Sequence, residues 1–111
     1  MATTINKYDN VAVLVVKDDL AGDGLDNFNA RVEQCMAEGF HCIVVDCSSV
    51  GGVESAGLEA LLDIQDRCEG ELGSVKLCGL DETLQKILEI TRLKRRFEVF
   101  NDLDTAVRSY G

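Results

Sequence analysis

The chain has 111 residues, 46% of them apolar and 28% charged, which suits one domain around a single core and is too apolar for disorder. Twenty acidic against eleven basic residues give a net charge of −9, excluding a general binder of nucleic acid or of anionic membrane surfaces. The longest apolar runs, Val11–Val16 and Cys42–Val45, fall far short of a bilayer span. The N-terminus lacks the charged-then-apolar pattern of a signal peptide, so a cytoplasmic protein without membrane insertion is expected.

In chain order, Thr3–Tyr8 and Val11–Val16 read as two strands joined by Asp9-Asn10, a connection suited to a tight hairpin. After the polar loop Lys17–Gly24, residues Leu25, Phe28, Val32, Cys35 and Met36 repeat at helical spacing, with Gly39 as the stop. Cys42–Cys47 is almost continuously apolar, as in a strand covered on both faces. A glycine-bearing loop, Ser48–Glu54, leads to a second helix traced by Leu58, Leu61, Leu62, Gln65 and Cys68 and ending before Gly70. Val75–Cys78 is a short strand, and Leu84, Ile87, Leu88 and Thr91 mark a third helix opening at Asp81. Phe97–Phe100 is a last strand, and Leu103, Ala106, Val107 and Tyr110 give a final helix capped by Asn101 or Asp102. The order ββαβαβαβα over 1–111 implies one α/β domain with a mixed, mostly parallel sheet, an antiparallel edge hairpin and about four helices.

Five cysteines (Cys35, Cys42, Cys47, Cys68 and Cys78) occur without close pairs, and His41 is the one histidine. Zinc and redox motifs need tighter spacing or more imidazoles. These thiols therefore read as small core residues, and no metal or cofactor is expected.

In a sheet of this kind, functional groups gather beyond the carboxyl ends of the strands, which selects the Ser48–Gly57 loop. Gly52-Val-Glu-Ser-Ala-Gly57 has the glycine spacing of a phosphate-binding loop, but Leu58 and Glu59 stand where lysine and a hydroxyl residue are required. A hydrolase elbow needs glycine where Val53 stands. His41, at the opening end of the preceding strand, lies on the opposite rim from Ser55, since such a strand is about 20 Å long. That leaves Ser55 at a helix start, either capping the helix or accepting a phosphate among free backbone N–H groups. Asp18, Asp19, Asp23 and Asp26 read as a solvated loop and helix start, and Arg92, Lys94, Arg95 and Arg96 as solvated charge near a helix C-terminus or a contact for an acidic partner.

The element order, the Asp46 strand end, the Glu54-Ser55-Ala56-Gly57-Leu58 motif and the tail from Thr91 to Val107 together resemble a STAS domain of the anti-sigma-factor antagonist family. The likeness spans essentially the whole chain. It differs from the family pattern at Glu54, where aspartate is usual, and at Arg92, where glycine is frequent. The resemblance implies a non-enzymatic protein that binds a serine kinase doubling as an anti-sigma factor, with a phosphatase as second partner. It places the phosphorylated residue at Ser55 and partner contacts at Glu54, Ala56, Gly57, Leu58, Glu59, Asp19, Gly22, Gly51 and Gly52. A homodimer is compatible with it. Two alternatives stand beside this reading. One is a STAS scaffold subunit that is never phosphorylated, in a stressosome or a lipid-transport complex. The other is a small module using the glycine loop for a nucleotide or other anion.

Overall fold

A computed structural model describes residues 3–110. The two leading strands, β1 (Thr3–Tyr8) and β2 (Val11–Val16), form the antiparallel hairpin in register from Thr3↔Val16 to Tyr8↔Val11. The turn between them holds Asp9 at φ 54, a conformation that Asp and Asn tolerate better than most side chains. The chain then alternates α1 (Gly22–Ala37), β3 (Cys42–Asp46), α2 (Ser55–Gly70), β4 (Ser74–Cys78), α3 (Glu82–Ile90), β5 (Glu98–Phe100) and α4 (Leu103–Arg108). Strand order is β1-β2-β3-β4-β5, with every pairing after the hairpin parallel.

Each crossover steps the same way along the sheet, so right-handed connections place α1, α2 and α3 on one face. Side-chain alternation agrees. Ala12, Leu14, Val16, Ile43, Val45, Val75 and Leu77 join Phe28, Val32, Leu61, Ile64 and Leu88 in the larger core. The opposite faces of the same strands, through Val11, Val13, Val44 and Cys78, pack with Ala106 of α4 in a smaller one. Coverage on both faces is the reason β2, and β3 as far as Val45, are apolar without interruption.

Several expected boundaries move. Cys47 and Phe97 lie just outside β3 and β5, and Asp102 rather than Asn101 caps α4, its Oδ1 accepting from the Thr105 N–H at 2.8 Å. Gly70 does not stop α2. The helix runs through it and closes two residues later, where Leu72 sits at φ 63 and the Gly73 N–H donates to the Cys68 carbonyl at 2.8 Å. The end of α1 has the same hydrogen-bond pattern with Gly39 (φ 89) in the left-handed position, and Arg92 (φ 64) takes that position after α3.

Gln65 lies on the apolar stripe of α2 yet is a buried amide. Its Oε1 accepts from the Val75 N–H at 2.7 Å, and its Nε2 donates to the carbonyls of Val75 and Arg96. It thus satisfies backbone where β4 has outrun its pairing with β5, which starts at Lys76↔Glu98. The Tyr110 hydroxyl lies 2.9 Å from the Ile43 carbonyl and 2.6 Å from that of Ser74, tying the chain end to the sheet, and burial pushes its pKa up. Four of the five free cysteines are buried and Cys42 is half-buried. Burial pushes the Cys68 thiol up to about 11 and that of Cys78 to about 12, as suits core residues rather than nucleophiles.

Candidate functional site

The β3–α2 corner is built from the end of β3 outward. Asp46 Oδ1 accepts from the Ser48 N–H at 3.1 Å and from the Ser48 hydroxyl at 2.8 Å. The Cys47 N–H donates to the Cys78 carbonyl at 2.9 Å and the Val50 N–H to the Cys47 carbonyl at 3.0 Å. These bonds turn the chain sharply out of the sheet and send Gly51 and Gly52 towards the loop after β2.

There the two loops clasp. The Leu20 N–H donates to the Gly52 carbonyl at 2.9 Å, the Glu54 N–H donates to the Leu20 carbonyl at 3.3 Å, and Leu20 and Val53 form an isolated parallel bridge. Leu20 is fully buried, although its loop is otherwise acidic. A Cβ at Gly51 would lie 2.9 Å from Asp19 Oδ1, and one at Gly57 would lie 2.5 Å from the Leu20 carbonyl oxygen. Both glycines are therefore set by close approach rather than by the need for unusual backbone angles. Two apolar residues in polar loops, Leu20 and Val53, were the only sequence trace of this clasp, and periodicity does not register a single bridge.

Ser55 is the first residue of α2, and Glu54, without a side-chain capping bond, is the N-cap. The capping role expected of Ser55 is thus not what the structure shows. Its side chain is exposed, and among the described residues no hydrogen bond engages its hydroxyl. The N–H groups of Gly57 and Leu58 both return to the Glu54 carbonyl, at 2.9 and 3.1 Å, which leaves those of Ser55 and Ala56 outside the helical ladder.

The structure brings Asp19, Gly51, Gly52, Glu54 and Ser55 to one edge, with Ala56 and Glu59 exposed on the first turns of the helix. Gly57 is buried, and Leu58 is half-buried against the main core, so both act mainly in packing. Gly22 opens α1 at φ 52 with nothing within 4 Å of its would-be Cβ, on the outer side of the clasp. His41 precedes β3 and so lies at the far rim of the sheet from Ser55. The crevice beside Gly51 and Gly52 measures only about 20 Å³, far below the roughly 300 Å³ of a small-molecule site.

The basic cluster is not simply solvated. Arg96 bonds Asp66 of α2 at 2.6 Å and approaches Glu69 at 3.3 Å, and Lys94 lies 3.5 Å from Glu89. Arg92 and Arg95 have no ion pair among the described residues. Among the same residues, no group of histidine, cysteine or carboxylate side chains is placed to hold a metal ion, and no helix is long and apolar enough to cross a membrane.

Comparison with known proteins agrees with this geometry. A Thermotoga maritima protein proposed to be an anti-sigma factor antagonist superposes with a TM-score of 0.89 at 19% identity, covering 96% of this chain and 92% of that one. The Bacillus cell-fate determinant SpoIIAA in its phosphorylated form gives 0.75 at 14% identity, covering 97% and 99%. A serine-to-glutamate variant of Moorella thermoacetica RsbS gives 0.80 at 16% identity, covering 98% and 94%. No curated protein sequence gives a match. The STAS domain family model matches residues 2–106, and the chain belongs to that family.

Proposed function

We propose that this protein is a non-enzymatic, cytoplasmic regulator of the anti-sigma-factor antagonist kind. Its β3–α2 corner docks a serine kinase that is also an anti-sigma factor, and phosphorylation of Ser55 ends that docking until a phosphatase restores the hydroxyl. The observation that carries the reading is the state of Ser55. Its hydroxyl is exposed, makes no hydrogen bond among the described residues, and is held on the first turn of a helix by a two-loop clasp. A group that only stabilised the fold would be engaged with it. Similarity to SpoIIAA, a protein solved in both unphosphorylated and phosphorylated forms, supports the same reading.

A phosphate adds about −1.5 to −2 charge. Glu54, Asp19 and Glu59 already make this edge acidic, so the added charge opposes any partner surface that is apolar or acidic. Weakening one interface by about 2–3 kcal/mol changes affinity roughly 30- to 150-fold, enough for a switch. The glycine loop as a nucleotide site is disfavoured by the crevice volume of about 20 Å³.

The test is incubation with ATP and a serine kinase of the anti-sigma-factor kind from the same organism, followed by intact-mass measurement. A gain of about 80 Da in wild type and none in Ser55→Ala is expected, together with loss of kinase binding in Ser55→Glu. Kinase binding with no mass gain moves the reading to an unphosphorylated scaffold. If Ser55→Ala and Ser55→Glu both bind the kinase like wild type, the corner is not the docking surface.

A further inference from the structure

We propose that a second copy of this chain docks head to tail, seating its Ile90–Arg95 corner in the groove between α1 and α2. The groove shares Ala56 and Glu59 with the proposed partner face but does not use the Ser55 hydroxyl, so the contact stands whatever the role of that serine.

The groove has a volume of about 460 Å³. Val32 and Ile64, each 2% exposed, form its bottom, and the small side chains of Ala56 and Ala60 keep it open. Glu59 and Asp63 stand exposed on its rim. At one end Arg67 clamps α2 to α1 through Glu33, at 2.6 and 3.1 Å, and lies 3.9 Å from Asp63. Among the described residues Arg67 is the one cation lining the groove; it pairs closely with Glu33 and loosely with Asp63, so three carboxylates face one cation, the rim is negative and Glu59 is without an ion pair.

The complementary surface lies at the end of α3. Ile90 is 76% exposed, an exposure that nothing in the fold requires of a large apolar side chain. Directly after it come Arg92 and Arg95, the two members of the basic cluster without ion pairs among the described residues. An exposed apolar side chain followed in the chain by two cations without ion pairs thus matches a groove with an apolar floor and an acidic rim, where Glu59 has no ion pair among the described residues and Asp63 is only loosely engaged.

The two surfaces cannot meet within one chain. Arg96 anchors the basic turn to Asp66 and Glu69 on one flank of α2, whereas the groove opens on the α1 flank. The turn therefore faces away from its own groove, and the contact joins unlike surfaces. Such a heterologous contact extends into rings or filaments instead of closing as a two-fold dimer. One side chain and two cations against one groove make a small contact, and the net charge of −9 works against it, so weak association is expected, with a Kd of about 1 mM.

Sedimentation equilibrium of the full chain up to about 1 mM tests this directly. Wild type should show an average mass rising with concentration above the 12.1 kDa monomer. The variants Glu59→Lys/Asp63→Lys and Arg92→Glu/Arg95→Glu should each remain monomeric, with circular dichroism confirming the fold. Mixed in equal amounts, they should associate again, since the native basic corner of one meets the native acidic groove of the other and the two reversed surfaces are themselves of opposite charge. A wild type that stays at monomer mass, a single variant that still associates, or a mixture that stays monomeric each overturns the proposal.

Discussion

Gly57→Ala is the sharpest test of the two-loop clasp. In an ordinary helix this change stabilises, because alanine is the better helix former by about 1 kcal/mol. Here the new methyl would lie 2.5 Å from the Leu20 carbonyl oxygen, 2.9 Å from Val53 Cγ2 and 3.1 Å from Leu20 Cβ. Comfortable carbon contacts begin near 3.5 Å, so all three are too close, and two of the three atoms belong to buried Leu20. The loop must retreat, and the bonds from Leu20 N–H to Gly52 and from Glu54 N–H to Leu20 lengthen or break. Overpacking of this sort costs about 1–3 kcal/mol, which outweighs the propensity gain, particularly in the first turn where propensity counts least. A net loss of about 1–2 kcal/mol is expected, or a melting temperature roughly 4–12 °C lower. Urea denaturation measures the loss, and amide exchange at Leu20 and Glu54 locates it. The control is Gly70→Ala, where a Cβ meets nothing within 4 Å, and that change should be neutral or stabilising. If Gly57→Ala and Gly70→Ala have the same urea midpoint, the loops are not held by this close approach and the argument for a rigid corner fails.

The helix ends offer a prediction of opposite sign. Leu72 and Arg92 occupy left-handed positions that cost an L-residue about 1–2 kcal/mol, partly offset in glycine by chain entropy; with Leu72 98% exposed, no burial is lost. Leu72→Gly and Arg92→Gly should therefore each raise stability by up to about 1 kcal/mol in urea denaturation, and a loss in both would show that the left-handed turns are not strained. Tyr110→Phe removes a hydroxyl that lies 2.9 and 2.6 Å from two sheet carbonyls and should cost about 1 kcal/mol. An unchanged denaturation midpoint would mean that these two hydrogen bonds contribute nothing to stability.

Periodicity was enough for the order of elements, because both cores demand it: β2 and β3 are apolar on both faces, and the helices bury one stripe each. Termination was harder to see. Gly39 ends α1 as its residue type suggests, but the same backbone turn after α2 falls on Leu72, two residues past the glycine that drew attention, since helix length is fixed by the reach to β4. Gln65 counted as part of an apolar stripe because burial and polarity are compatible once the amide finds backbone partners. At the site, Ser55 was legible as a helix-start hydroxyl, whereas its place inside the helix depends on Glu54 bonding back to Leu20. That contact joins residues more than thirty apart and leaves no periodic signature. The glycine that the family often carries after α3 also acquires a cause here, because Arg92 holds the left-handed conformation that glycine adopts without cost.

The same geometry bears on how a phosphate at Ser55 would act. The helix dipole and the free N–H groups of Ser55 and Ala56 favour an anion there by about 0.3–1 kcal/mol. Glu59, one turn on, opposes it by a few tenths of a kcal/mol, and Glu54 adds repulsion from the N-cap. These contributions are small and of opposite sign, so within the folded protein they largely cancel. The clasp, meanwhile, is held by backbone bonds and by glycine contacts that the Ser55 side chain does not join. A phosphate would therefore leave the corner in place and alter chiefly the charge it presents. If Ser55 is a switch, its free energy resides in the interface with the partner and not in a change of fold.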